Sequence, residues 1–110
     1  ADHRLEETAD FIVYYSALSE AFRRYLESET PVEAMERTTF ELARALDGSP
    51  IEADRATEIV RFLSEADLVK FARHAPGAQK ARDDLDRVLR MMKGVAKDVK
   101  PPAEEEVSSP

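Results

Sequence analysis

At 110 residues the chain is long enough to bury one hydrophobic core and too short for two. Its composition, 43% hydrophobic and 35% charged with three glycines, suits a water-facing helical domain and argues against a collagen-like or membrane-spanning one. A formal charge of -7 disfavours a polyanion as general partner, because nucleic acid and anionic lipid reward clustered Lys and Arg, and the absence of cysteine removes disulfides, thiolate nucleophiles and Cys-based metal sites.

The first predicted element runs from Leu5 to about Glu29, where Phe11, Tyr15, Leu18, Phe22 and Tyr25 recur at steps of four and three, the spacing of one helix face. Thr30-Pro31-Val32-Glu33 then reads as a capping box with Pro at the first helical position, opening a short helix or turn. Thr38-Thr39-Phe40-Glu41 repeats the signal and starts a helix over about 38–46, with Phe40, Leu42, Ala43 and Leu46 as its buried positions and Asp47-Gly48 as its end. Ser49-Pro50-Ile51-Glu52 is a third such box and opens a helix over 50–73 whose Ala53, Ala56, Ile59, Val60 and Leu63 face inward. Ser64-Glu65-Ala66-Asp67 offers a further cap, so Leu68 to Phe71 continues that helix, forms a separate turn, or adds a short strand as in a reduced winged helix. Pro76-Gly77 breaks the chain. A last helix over 77–99 carries Ala78, Ala81, Leu85, Val88, Met92, Val95 and Val99 on one row, and Pro101-Pro102 ends it.

The fold class expected is therefore all-α: a compact bundle of about four helices within a single domain, 1–100, with a reduced winged-helix-like arrangement as the variant. The expected core is Leu18, Phe22, Tyr25, Leu42, Leu46, Ile59, Leu63, Phe71, Leu85, Val88 and Met92. Residues 101–110 are acidic and rich in Pro and Ser, too poor in apolar surface to offset ordering entropy, and are expected to be a disordered tail or linker.

Chemistry-bearing patterns are sparse. His3 and His74 have no second imidazole beside them, Glu6 and Glu7 follow His3 at three and four positions but, like Asp83-Asp84, diverge by about 100° on a helix and read as solvated, and the three glycines form no phosphate loop. No catalytic, cofactor-binding or metal residue is assigned, and the chain reads as a non-enzyme. Thr38 to Leu63 superficially fits a helix-turn-helix, but the outward Glu52, Asp54 and Glu58 balance Arg55 and Arg61, so nucleic-acid binding is the alternative and not the first reading.

Charge is unevenly spread. Residues 1–30 carry three basic and seven acidic side chains, whereas 77–100 carry seven basic and four acidic. On the last helix Arg87, Arg90, Lys93 and Lys97 lie opposite the apolar row, interrupted by Asp83 and Asp86 near its start, and are the candidate contacts for an acidic protein partner. All four are expected to be free, so that replacing them with Gln leaves the melting temperature nearly unchanged.

Three stretches suggest a family: Leu18-Ser19-Glu20-Ala21-Phe22-Arg23-Arg24-Tyr25-Leu26-Glu27, then Glu36-Arg37-Thr38-Thr39-Phe40-Glu41-Leu42, then Ala66-Asp67-Leu68-Val69-Lys70-Phe71-Ala72. In this order, within Tyr14 to Arg73, they resemble the cytoplasmic helical domain of bacterial Bat-type proteins, single-span membrane proteins encoded beside MoxR-type AAA+ ATPases and von Willebrand factor A domain proteins. The resemblance implies an adaptor or scaffold in such an assembly, a cytoplasmic domain tethered to the inner membrane by a segment that this chain does not contain. Ala1 in place of Met fits a piece of a longer protein. Lys70 and Arg73, which packing explains less readily than it explains Phe71, join the partner-binding candidates.

Overall fold

The computed structural model of the chain describes residues 2–72 and 75–99, with side chains from residue 9 onward. Four α-helices follow one another: α1 (Asp2–Glu29), α2 (Thr39–Asp47), α3 (Ala53–Ala72) and α4 (Ala78–Val99). A single 3-10 turn, Ala34–Glu36, lies between α1 and α2, and no strand occurs among the described residues. The all-α bundle expected from periodicity is the fold. Residues 101–110 lie outside the described part.

The connections show how similar local signals take different roles. At Thr38 the capping box is complete: its hydroxyl accepts from the Glu41 N–H at 3.1 Å, and its own N–H donates to Glu41 Oε1 at 3.0 Å. At Thr30 and Ser49 the expected boxes do not form. Thr30 donates to the Leu26 carbonyl at 2.8 Å and accepts from the Val32 N–H at 3.1 Å, so it closes α1. Ser49 closes α2 in the same way, donating to the Leu46 carbonyl at 2.8 Å and accepting from the Ile51 N–H at 3.2 Å. Helix α3 begins three residues later than expected, at Ala53, because Ile51 is pulled into the core. It then runs through Ser64 without a break, which makes Leu68 to Phe71 helix and removes the winged-helix variant.

Arg23 gathers the α1–α2 connection, donating to the Ala34 and Arg37 carbonyls at 2.7 Å each and to the Thr39 hydroxyl at 3.2 Å. Thr39 in turn donates to Asp67 at 2.8 Å, fixing the start of α2 against α3. The core lies where α1 meets α3 and α4, with Phe22 and Phe62 edge-to-face at 6.3 Å. Of the expected core, Leu18, Phe22, Leu42, Leu46, Ile59, Leu63 and Val88 are buried. Tyr25 and Met92 are half-buried against it, the Tyr25 hydroxyl donating to the Met92 carbonyl at 2.7 Å.

Two expected core residues, Phe71 and Leu85, and one residue expected to be buried on α2, Phe40, are not in the core. Phe71 is 80% exposed, because the buried row of α3 passes through Ile59, Phe62, Ala66 and Val69, and two positions beyond Val69 is about 200° around the helix. Phe40 is 72% exposed, one residue past the α2 start on the side away from Leu42. Leu85 is 39% exposed, because α4 is rotated from its most apolar row.

Candidate functional site

The rotation of α4 comes from a polar contact. Its buried row is Ala81, Asp84, Val88, Met91 and Val95, so a carboxylate occupies the position that apolar pattern gives to Leu85. Asp84 is only 3% exposed, which corrects the solvated reading for that residue, while Asp83 is exposed as expected. The Tyr15 hydroxyl donates to Asp84 Oδ2 at 2.5 Å. Lys80 donates to Asp84 at 2.8 Å and to Glu65 at 3.2 Å, and Arg87 reaches Glu65 at 3.0 Å, Asp84 at 3.5 Å and Glu58 at 3.7 Å. The Arg87 guanidinium also covers the Phe62 ring at 5.7 Å. Burial, then the hydrogen bond to Asp84 and its charge, push the Tyr15 phenol well above its ordinary value. Burial lowers Lys80, but its bonds to Asp84 and Glu65 outweigh this and raise it. The cluster is a compensated joint between α1, α3 and α4.

That joint takes Arg87 out of the expected basic surface. Its side chain is 15% exposed and already meets three carboxylates, which corrects the expectation that it stands free. Arg90, Lys93 and Lys97 are exposed, and Arg82, absent from the sequence-based set, joins them. None of these four makes an ion pair among the described residues. Beside them Leu85 is 39% and Leu89 49% exposed. Arg82, Leu85, Leu89 and Lys93 follow at steps of three, four and four, so apolar and basic side chains share one outer face. This face borders α1, where the Tyr14 and Tyr25 hydroxyls donate to the Ala81 and Met92 carbonyls at 3.0 and 2.7 Å.

Lys70 lies elsewhere, on α3, 3.7 Å from Asp67 and 5.4 Å above the Phe71 ring. Arg73 and His74 lie outside the described residues, as does the side chain of His3. No group of three or more potential metal ligands occurs among the described residues, and no described helix is long and apolar enough to cross a membrane. Of the outward set on and just before α3, Arg55 is paired with Asp98 and Glu58 with Arg87, while Glu52, Asp54 and Arg61 make no ion pair among the described residues.

A groove of about 370 Å³ separates α2 from α3. Ala43, Ala53, Ala56 and Val60 form its apolar lining, Phe40 stands at it, and Arg44, Asp47 and Thr57 supply polar groups. A smaller cleft of about 240 Å³ lies over the Tyr15–Asp84 joint, bounded by Leu68, Val69 and Pro76. Neither Leu89 nor the groove was assigned from sequence; the signal available was an aromatic at the second position of a capped helix and a leucine off the main α4 row.

Compared with known proteins, the chain matches no family model, no curated protein and no solved structure.

Proposed function

We propose that this chain is a non-catalytic protein-interaction domain, an adaptor or scaffold that receives an acidic partner on the outer face of α4. The observation that supports this is the pairing of Leu85 and Leu89, both well exposed, with Arg82, Arg90, Lys93 and Lys97, none of them ion-paired among the described residues. Apolar anchors beside unsatisfied charge are what a protein interface uses: the anchors give residence time, and the rim charge gives partner choice and association rate. Following the family likeness, the partner is a MoxR-type ATPase or a von Willebrand factor A domain protein, and the parent holds this domain in the cytoplasm at the inner membrane.

The test is biolayer interferometry between this chain and the MoxR-type ATPase encoded beside the parent gene. Changing Leu85 and Leu89 to Gln should raise the dissociation rate, and changing Arg90, Lys93 and Lys97 to Gln should slow association about tenfold and flatten its salt dependence. Unchanged rates in both variants, or salt-dependent retention of the chain on duplex DNA in place of ATPase binding, would overturn the proposal.

A further inference from the structure

The α2–α3 groove has a different character from the α4 face. It is locally balanced in charge, Arg44 against Asp47, and it carries both an apolar hollow and an apolar projection, the 72% exposed Phe40. Arg44 and Asp47 sit three apart on α2 and both line the groove, yet among the described residues neither makes an ion pair with the other or with any other side chain. A one-signed partner would satisfy only one of them. A twofold-related copy satisfies both, because in an isologous contact Arg44 of one chain meets Asp47 of the other and the reverse. On the antiparallel α2 helices that this pairing requires, each Phe40 lies over the Ala53 end of its mate's groove, where Ala53 and Ala56 offer apolar surface to the ring.

We infer that the α2–α3 groove is a self-association site whose occupant is a second copy of this chain. The inference stands apart from the α4 proposal, since it uses no residue of that face.

Sedimentation equilibrium of the full 110-residue chain over a dilution series tests it. A reversible monomer–dimer equilibrium is expected. Phe40→Asp should weaken it about 30-fold or more, the ratio that corresponds to losing an interface anchor. Asp is favourable in the first turn of α2, so this variant folds, which far-ultraviolet circular dichroism checks. Arg44→Asp and Asp47→Arg should each weaken the homodimer by placing like charges across the axis. Mixing these two variants should restore association as a heterodimer, because all four groups then face opposite charge. A chain that stays monomeric throughout the series overturns the inference. So does a dimer indifferent to Phe40→Asp, or one in which the mixed charge variants associate no better than either alone.

Discussion

Gly94 offers the sharpest test of how α3 and α4 are joined. It is buried within α4, and a Cβ at this position would stand on the Arg55 guanidinium, which crosses there from α3. Arg55 Nε donates to Asp98 Oδ2 at 2.6 Å, with the two side chains 24% and 12% exposed, and Asp98 also accepts from the Glu52 N–H at 3.2 Å. In a free helix, Gly→Ala stabilises by about 1 kcal/mol, because alanine loses less backbone entropy. Here the new methyl displaces the guanidinium, and a hydrogen bond between charged groups is worth about 1.5–3 kcal/mol. Gly94→Ala should therefore destabilise by about 0.5–2 kcal/mol, a fall of roughly 4–8 °C in melting temperature for each kcal/mol in a domain of this size. In an Arg55→Ala background nothing occupies the space, and the same substitution should stabilise by about 1 kcal/mol. Urea titrations of the four chains, at unchanged dependence on denaturant, measure this reversal as a coupling energy. Stabilisation of equal size in both backgrounds would show that the Arg55 guanidinium does not hold the space at Gly94.

The polar joint and the Asp98 pair give three further expectations. Tyr15→Phe should cost about 1–2 kcal/mol at neutral pH. Because the folded chain holds the phenol above its ordinary value, this stabilisation is complete below the unfolded value near 10 and is lost at higher pH. The stability gap between wild type and Tyr15→Phe, measured by urea titration at pH 8 and pH 11, should accordingly narrow. Burial raises Asp98, but the Arg55 hydrogen bond, the Glu52 N–H and the nearby cations outweigh it and hold its value low. Asp98→Asn should thus be destabilised at pH 6, and its deficit should fade below about pH 4 as the wild-type carboxylate is protonated. Arg87→Gln should cost about 1–3 kcal/mol by leaving Asp84 buried with fewer partners, whereas Arg90→Gln should stay within about 0.5 kcal/mol in the same thermal melts.

What could be read from sequence was what local chemistry decides. The Thr38–Glu41 box, the Tyr15–Leu18–Phe22 face and the break at Pro76-Gly77 are set by residues a few positions apart, and each takes its expected place. Thr30 and Ser49 show the limit of such signals. A hydroxyl before Pro suits the end of one helix as well as the start of the next, and the burial of Val32 and Ile51 decides between them. The rotation of α4 was beyond local pattern altogether. Leu85 is the more apolar choice, but Tyr15, 69 positions from Asp84, supplies the hydrogen bond that draws the carboxylate inward, and Lys80 and Arg87 compensate its charge. The same rotation explains why four expected cations divide into one structural arginine and three outer ones. Phe71 fits the expected core and Phe40 a buried position of α2 by residue type, and their exposure is visible only once the helices are packed.

Chemical-shift mapping tests most directly whether the outer face of α4 receives acidic protein. The probe is a designed amphipathic helix with leucines four apart and glutamates on both flanks, titrated into the isotopically labelled chain, with a lysine-flanked counterpart as control. Shifts should concentrate at Arg82, Leu85, Leu89, Arg90, Lys93 and Lys97, weaken as salt rises and be absent with the lysine-flanked helix. Equal response to both peptides, or shifts that leave α4 untouched, would contradict docking on that face.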